Sequence, residues 1–416
     1  MMARADRARR ALTVGGWHLR RPNATLCAVA LLVGATGGIT TTHAGATTTH
    51  SVAVVSLDDD ARYQPRRLER RYPGHPGGRL LPAAELAASD AEVGLRAAGQ
   101  ALKVREATAR DAADLPRVLQ QLRADKVAYW VLDLPATLVP QATRAAGTTA
   151  LLFNASATAD VLRANDCAAQ LLHTYPSEHM LQDALAQYLA ARNWRNALVL
   201  QGATPTDAAL LGAWQRATKR YGIKSVATKS FKLSGDPKDR DLANTRLLTN
   251  ERSHDVVAVL DTDGEFARTL PYATQWPRPV VGSNGLAPLA WHPQWERNGG
   301  PQVNRRFTRL AGRAMTGQDW AAWVAVKAVA ALASEHPKAI PAEQARLLRT
   351  GQVTVDGAKG PALSFRPWDG QLRQPVFLSH VDGVVGLAPL DGVLHPTEVL
   401  DTLGVDDKES ACKARP

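Results

Sequence analysis

The stretch 149–200 constrains the fold more than any other part of the chain. An apolar run at 150–153 ends in a loop of small and hydroxyl-bearing residues at 154–158, and a second apolar run follows at 170–174. An amphipathic helix pattern at 178–192 and a third apolar run come next. Short apolar runs that alternate with helices are typical of parallel β-sheets, where ligands bind at the carboxyl ends of strands. The loop at 154–158 is therefore predicted to hold a small ligand through backbone N–H and hydroxyl groups.

The same alternation extends over most of the chain. Candidate strands lie at 51–57, 101–106, 127–132, 150–153, 197–201, 224–231, 255–260 and 279–282. Candidate helices separate them at 80–98, 111–124, 135–146, 178–192, 207–221, 240–250 and 265–274. This order gives two series of βα units, and the apolar run at 170–174 stands between them as a crossing strand. The sequence therefore predicts an α/β fold with two doubly wound lobes, each built on a parallel sheet.

The last third of the chain has a different pattern. Three helices are predicted there, at 302–315, 319–333 and 341–349. Residues 360–381 read as a β-hairpin with Asp369-Gly370 as its turn. Residues 391–416 form a tail with no recognisable pattern, and its polar end at 408–416 is predicted to be mobile.

The head of the chain is typical of an export signal. Residues 1–21 hold six arginines and one aspartate, and an uncharged apolar run follows at 24–39. Ala44-Gly45-Ala46 has the small-residue pattern that signal peptidase cleaves. Residues 1–46 are therefore predicted to be a signal peptide, cleaved near Ala46, that sends the protein to the periplasm. An uncleaved N-terminal anchor, or a true start later than Met1, is the alternative.

The charge of the chain gives no support for nucleic-acid binding. The formal net charge is +11, and much of this excess lies in the predicted signal peptide. The remaining basic residues are scattered and are not interleaved with aromatic ones, unlike a nucleic-acid footprint. We therefore expect no nucleic-acid partner.

Three cysteines occur, at Cys27, Cys167 and Cys412. Cleavage of the head leaves two, which could form one disulfide in an exported protein. Because Cys412 lies in the polar tail, a free or weakly paired thiol is the expected state. No C-x-x-C motif is present, so neither a zinc site nor a thioredoxin-like site is predicted.

No sequence motif indicates an enzyme. The chain lacks G-x-S-x-G, the phosphate-binding loop of nucleotide hydrolases and H-E-x-x-H. Asp58-Asp59-Asp60 is the most suggestive acidic cluster, because metals favour grouped carboxylates, but a solvated loop is the more common role. We therefore predict no catalytic residues, no metal site and no cofactor.

Taken together, these features resemble one family, the leucine/isoleucine/valine-type periplasmic binding proteins that feed ABC importers. The likeness is strongest at 153–192 and at 360–380, where a Gly-Pro start and an acidic-Gly turn precede an aromatic-flanked strand. It covers most of 51–390. The chain looks more specifically like the branch found with PQQ-dependent alcohol dehydrogenase systems, although no residue indicates a PQQ contact.

The resemblance implies a bilobed protein with a three-segment hinge. The first lobe takes 51–173 and 286–352, the second takes 174–285 and 353–390, and 391–416 forms a C-terminal tail. It also implies a small-molecule ligand, an ABC permease in the inner membrane as partner, and a monomer.

In the first lobe, the family's carboxylate-holding loop corresponds to Ser156, Ala157 and Thr158. The alternative is that Ser156 and Thr158 merely cap the next helix. Where the family often has a serine after the preceding strand, this chain has Asp133, which would repel a carboxylate.

In the second lobe, the matching positions also depart from the family. Thr204 lies where an aromatic residue is common, and Asp261 and Thr262 lie where a tyrosine is common. Asn284 replaces the carboxylate that pairs with an α-ammonium, and a neutral amide cannot offset that charge. Asp261 or Asp263 could substitute, and helix capping is an equally good role for either.

Four tryptophans fall near the expected cleft and hinge: Trp291, Trp295, Trp320 and Trp323. Ordinary helix packing is the more common role for such residues, and ligand contact is the alternative.

The sequence thus predicts a periplasmic solute receptor that delivers a small polar or acidic metabolite to a permease. A branched-chain amino acid is disfavoured as the ligand by the departures described above. The alternative function is a sensing or accessory binding module of the same fold.

Overall fold

The computed structural model describes residues 47–413, and two parallel β-sheets form its framework. The predicted signal peptide at 1–46 and the last three residues lie outside the described part of the chain. Among the described helices, none combines the length and the apolarity that crossing a membrane requires.

The first sheet has five parallel strands in the order β2-β1-β3-β4-β5. Its elements in chain order are β1 (Thr48–Leu57), α1 (Pro65–Arg70), α2 (Leu81–Ala97), β2 (Gln100–Ala109), α3 (Leu115–Ala124), β3 (Tyr129–Asp133), α4 (Val139–Ala146), β4 (Leu151–Asn154) and β5 (Leu171–His173). A 3₁₀ turn at Ala61–Tyr63 precedes α1. The predicted crossing strand is thus β5, the last strand of this sheet.

The second sheet has four parallel strands in the order β7-β6-β8-β9. Its elements are α5 (Glu178–Ala191), β6 (Asn196–Gln201), α6 (Pro205–Tyr221), β7 (Lys224–Ser230), α7 (Thr245–Leu248), β8 (Val256–Leu260) and β9 (Val280–Gly282). Both sheets agree with the predicted strands, but of the helix predicted at 240–250 only the four residues of α7 are α-helical, after a 3₁₀ helix at Pro237–Ala243.

One predicted helix of this series, at 265–274, is wrong. The structure has turns there, followed by a short 3₁₀ helix at Leu270–Tyr272. The carboxylate of Asp261 accepts hydrogen bonds from the backbone N–H groups of Asp263 and Ala267, at 3.2 and 2.9 Å. These bonds hold the chain in a compact turn and compete with a regular helix.

The remaining elements follow β9 in the chain, and their helices pack against the first sheet and α2. They are β10 (Ala287–Leu289), α8 (Gly300–Ala311), α9 (Gly317–Glu335), α10 (Pro341–Arg349), β11 (Val355–Asp356), β12 (Ala362–Leu363), β13 (Val376–His380) and β14 (Gly383–Ala388). Strands β10, β13 and β14 form an antiparallel sheet. The three predicted helices are present.

The hairpin predicted at 360–381 needs correction. A single antiparallel bridge joins Phe365 and Leu372 around the predicted Asp369-Gly370 turn. Strand β13, however, pairs with β10 and β14, so the regular hairpin lies further along the chain. The acidic-Gly signal located a real turn, but long-range pairing decided which strands form the sheet.

The two sheets have separate hydrophobic cores. The core of the first sheet includes Phe153 and Trp320, and the core of the second includes Trp214. Strand β13 contributes to both, because Phe377 packs into the first core whereas Val376 and Leu378 pack into the second. Alternate side chains of a strand point to opposite faces, so β13 lies between the two cores.

The C-terminal tail is anchored, which contradicts the predicted mobility and the expected free thiol. Cys167 and Cys412 form a disulfide, with their Cα atoms 5.7 Å apart. Asp401 is buried and accepts hydrogen bonds from the guanidinium groups of Arg366 and Arg373, at 2.8 and 2.9 Å. The anchoring contacts come from residues distant in sequence, so local composition could not indicate them.

Candidate ligand site

The carboxyl ends of both sheets are linked by residues 58–79, which we call the covering segment. At its start, Arg62 and Tyr63 contact Asp133 at the end of β3. A few residues later, Arg67 forms an ion pair with Asp263, which follows β8 in the second sheet. The residues that make these two contacts are only five positions apart, and a helix rises only about 1.5 Å per residue. The strand ends of the two sheets therefore lie close together.

A second contact of the covering segment reaches the same loop of the second sheet. The hydroxyl of Tyr72 donates a hydrogen bond to Glu265. The Tyr72 ring lies against Gly264, where an added Cβ atom would be 2.8 Å from the ring and where φ is +85°. Glycine is therefore required at 264 for this close approach.

Asp133, predicted to repel a ligand carboxylate, is neutralised by the covering segment. It is fully buried, and its two oxygens accept hydrogen bonds from Arg62 at 3.1 Å and from Tyr63 at 2.5 Å. Burial lowers the pKa of Arg62, but Asp133 and Asp60 outweigh burial and raise it above its usual value. Asp60, from the acidic cluster, is thus bound to Arg62 at 2.6 Å.

The loop at 154–158 is held from within by Asn154. The side-chain oxygen of Asn154 accepts a hydrogen bond from the Ala157 N–H at 2.9 Å, and its amide donates to the Ala157 carbonyl at 2.8 Å. The Asn154 amide also lies 3.0 Å from Nδ1 of His173. The Ala157 N–H, which the resemblance assigns to a ligand carboxylate, is therefore engaged by the protein itself.

The other two residues of this loop are also bonded within the protein. The Ser156 hydroxyl donates to the Leu134 carbonyl at 3.5 Å. The Thr158 carbonyl accepts a bond from the Glu178 N–H at 3.0 Å, and the Thr158 hydroxyl bonds the Glu178 carboxylate. Burial raises the pKa of Glu178 to about 7, although Gln182 and Thr158 donate to it and oppose this shift.

At the second sheet, Thr204 and Thr262 are brought together by Asp207, which sequence reasoning missed. One oxygen of Asp207 accepts bonds from the N–H and hydroxyl of Thr204 at 3.0 and 2.7 Å. The other accepts from the N–H and hydroxyl of Thr262, both at 2.7 Å. Thr204 thereby caps α6 in a capping box, a signal visible in the sequence as threonine followed three residues later by an acid.

Asp261 and Asn284 serve the turn between β8 and β9. Burial raises the pKa of Asp261, and its oxygens accept the backbone bonds described above. The Asn284 amide donates to the carbonyls of Ala267 and Arg268 at 3.0 and 3.1 Å. Both residues lie at the predicted strand ends, and both are bonded to backbone there.

A cavity of about 370 Å³ adjoins this edge, between the covering segment and the start of α9. Aromatic rings of Tyr72, Tyr175 and Trp291 line it. Apolar side chains of Leu289 and Met315 complete its wall, and no aspartate or glutamate of the described residues is part of the lining. This is the mostly apolar, concave type of surface that small-molecule sites use.

Two polar groups of the cavity make no hydrogen bond with the described residues. The hydroxyl of Ser379 is buried without a partner. The imidazole of His75 contacts the edge of the Tyr72 ring, and burial lowers the pKa of His75 to about 4, so it is neutral at pH 7. Neither residue was singled out from the sequence, because no motif marks them.

Two arginines also line the cavity. Arg71 is exposed, has φ of +52° and forms no ion pair with the described residues. Arg313, by contrast, donates to both oxygens of the buried Asp319 at 2.6 and 2.8 Å. The unpaired positive charge of the cavity thus comes from Arg71.

The tryptophans pack within the protein, and one of them also lines the cavity. Trp320 and Trp323 donate from their ring N–H groups to Gly357 and Asp90 and pack in the core. Trp291 stacks on Trp320, with ring centres 6.3 Å apart, and also lines the cavity.

Comparison with protein-family models gives no match, and no curated protein matches the sequence. Solved structures do match. A branched-chain amino acid ABC transporter periplasmic ligand-binding protein from Burkholderia xenovorans LB400 is 13% identical, with a TM-score of 0.68, over 88% of this chain and 99% of its own.

The chain has the fold of a type I periplasmic binding protein. An amino acid ABC transporter substrate-binding protein from Pseudomonas fluorescens Pf-5 is similar over 88% of this chain and 99% of its own, with 12% identity and a TM-score of 0.66. A solute-binding protein from R. palustris, in complex with benzoate, has 11% identity, the same coverages and a TM-score of 0.60. The predicted fold class is therefore confirmed.

Proposed function

We propose that this protein is the solute-binding component of an ABC importer and holds a small polar or acidic metabolite between its two lobes. The observation that carries the proposal is the covering segment, which contacts the strand ends of both sheets through Arg62 and Arg67. A ligand enclosed there touches both lobes only in the closed form, so its binding shifts the balance between open and closed forms.

Structural neighbours support this function. They are ABC transporter binding proteins, and their bound ligands include leucine, benzoate and 3,4-dihydroxybenzoic acid. Because these neighbours are binding proteins, we propose no catalytic role. The sensing alternative uses the same cleft, and none of the contacts described above favours it.

The lobe division also belongs to the proposal. We assign 51–173 and 286–352 to one lobe and 174–285 and 353–390 to the other. Strand β13, whose side chains pack into both cores, supports a connection between the lobes at this strand.

The proposed location is the periplasm, after cleavage near Ala46. The Cys167–Cys412 disulfide supports it, because such bonds form and persist in oxidising compartments. The proposed partner is a membrane permease that reads the closed arrangement of both lobes, with the receptor acting as a monomer. Membership of the branch found with PQQ-dependent alcohol dehydrogenase systems is a further part of the proposal.

The strand-end residues stay part of the proposal as candidate ligand contacts along the edge of the cleft. They are Ser156, Ala157, Thr158, Asp133, Thr204, Asp261, Thr262 and Asn284. Since most of them are bonded within the protein, a ligand that touches them has to share or replace those bonds.

Mass spectrometry of the natively purified protein tests the function, together with thermal unfolding in a panel of small metabolites. A ligand at 100 times its dissociation constant is expected to stabilise the protein by about 2.7 kcal/mol. Absence of both a co-purified metabolite and any thermal shift would contradict the proposal.

The link to transport is tested by capture of the cognate permease. Ligand-loaded protein is expected to retain the permease, whereas the variant Arg67→Glu, which opposes two acids across the cleft, is expected to retain less. Equal capture by both proteins would argue against closure as the signal that the permease reads.

A further inference from the structure

We infer that the cavity beside the covering segment is the ligand site, and that its ligand is a small aromatic carboxylate. This inference rests on the proposed function and names the place and the chemical class of the ligand. Four observations carry it: the shape of the cavity, its aromatic walls, its charge and its unpartnered polar groups.

The size and walls of the cavity suit one aromatic ring. Its volume of about 370 Å³ falls within the range of small-molecule sites. Tyr72 comes from the covering segment, Tyr175 follows β5, and Trp291 follows β10, so three separate parts of the fold supply the rings. Aromatic side chains pack well against a flat ring, either edge-on or by stacking.

Tyr175 connects the cavity to the closed cleft. Its backbone N–H donates to the Asn154 carbonyl at 3.3 Å, so it is fixed to the loop at the end of β4. Its hydroxyl donates to the carbonyl of Gly74 in the covering segment at 3.3 Å. A ligand beside Tyr175 is therefore in contact with parts that close the cleft.

The charge of the lining favours an anion over an amino acid. Arg71 supplies an unpaired guanidinium, and no carboxylate of the described residues lines the cavity. An amino acid would bring an ammonium group into this site with no acid to pair with it, which is unfavourable once the group is desolvated. A ligand with a carboxylate and no ammonium avoids this cost.

The unpartnered groups mark where the ligand's polar end is received. Ser379 has a buried hydroxyl with no bond, and a buried polar group without a partner is unfavourable until one arrives. The ring nitrogens of His75 make no hydrogen bond with the described residues, and a neutral imidazole offers one donor. His292, also in the lining, is already satisfied, because it lies 3.0 Å from the His380 carbonyl and 3.2 Å from the Gln294 N–H.

Isothermal titration of the dialysed full-length protein with four probes tests the ligand class. Benzoate is the expected ligand, benzyl alcohol removes its charge, benzylammonium reverses it, and leucine is the amino acid. We expect benzoate to bind at least about tenfold more tightly than benzyl alcohol, with no binding of the other two. Tighter binding of leucine or benzylammonium than of benzoate overturns the inference.

Two variants test whether the cavity is the ligand site. Ser379→Ala is expected to weaken benzoate binding about tenfold while leaving the melting temperature of the ligand-free protein unchanged or higher, because no bond is lost. Arg71→Gln is expected to weaken it by a similar factor. Arg123 is another exposed arginine; it forms no ion pair with the described residues and is not part of the cavity lining, so Arg123→Gln serves as the control and leaves affinity unchanged.

The variant Thr158→Val separates this inference from the proposed function. If benzoate, or another metabolite that binds, loses affinity with Thr158→Val and keeps it with Ser379→Ala, the ligand lies at the strand-end loop. That outcome overturns the cavity assignment and leaves the transport function standing. If no metabolite of the panel binds, the proposed function fails together with the inference.

Discussion

The strand-end edge and the adjoining cavity differ in how their polar groups are used. At the strand ends, Asp133, Asn154 and Asp207 each make two or more hydrogen bonds within the protein. In the cavity, Ser379 and Arg71 have no polar partner among the described residues. Bonded groups hold the two sheets and the covering segment in place, whereas unbonded ones are available to a ligand.

The difference also shows why position in the fold is a poor guide to ligand contact. The polar groups at a strand end can be bonded by side chains of another segment of the protein. Here Arg62 and Tyr63 donate hydrogen bonds to the carboxylate of Asp133. Each of the following predictions tests whether the strand-end groups are structural, as their bonds indicate.

The largest expected effect comes from Asp133→Ala. The substitution leaves Arg62 and Tyr63 without their buried acceptor, which should reduce the free energy of unfolding by about 3 kcal/mol. Urea denaturation measures it. Asp58→Ala, at an acid of the covering segment that is 81% exposed, is the control and should change stability by less than about 0.5 kcal/mol. Equal effects of the two would mean that the Asp133 pair is not structural.

Asn154→Ala should have the next largest effect. It removes the partner of the Ala157 N–H and the contact with His173, and the expected loss is about 2 kcal/mol. Asn165→Ala, at an exposed asparagine of the following loop, is the matched control. A stable Asn154→Ala protein would mean that the Ala157 N–H finds another acceptor.

The free energy of unfolding is expected to depend on pH through Glu178, which is bonded to the strand-end loop. Its pKa is raised to about 7 in the folded protein, so the folded state binds the proton more tightly than the unfolded state, whose pKa is about 4.5. Stability contributed by protonated Glu178 is therefore lost as pH rises from about 4.5 through 7.

Glu178→Gln should thus stabilise the protein at pH 8, by about 1 kcal/mol after allowance for partial exposure, and have little effect at pH 4. Thermal unfolding of both proteins across this range measures the difference. A constant difference between the two proteins at every pH would rule out titration of Glu178 as its source.

The smallest effect is expected for Thr204→Ala. Loss of the α6 cap should cost about 0.5 kcal/mol, at the low end for such caps, because Asp207 keeps its bonds to Thr262. Thr206→Ala, at the neighbouring exposed position, is the control for removal of a threonine side chain. A much larger loss at Thr204 would show that the cap also holds the loop after β8.

Much of the framework was predictable because it depends on local pattern. The continuous β-branched run predicts β1 as a buried strand, and the recurrence of apolar residues at helical spacing predicts α3. Asp261 and Asn284 were correctly placed at strand ends. The capping box at Thr204 and Asp207 is also local, and could have been found from spacing alone.

The site and the tail depended on contacts between distant residues. Arg62 meets Asp133 across 71 positions, and Cys167 meets Cys412 across 245. No local signal marks Ser379 as unpartnered, because that follows from the absence of a polar neighbour among the described residues.

The sequence by itself thus determined the order of strands and helices and the α/β class, because both follow from the spacing of apolar residues. Only the tertiary structure decided which polar groups are satisfied. Hydrogen bonding depends on distances of a few ångströms between side chains, and those distances are set when the covering segment, the two sheets and the tail pack together.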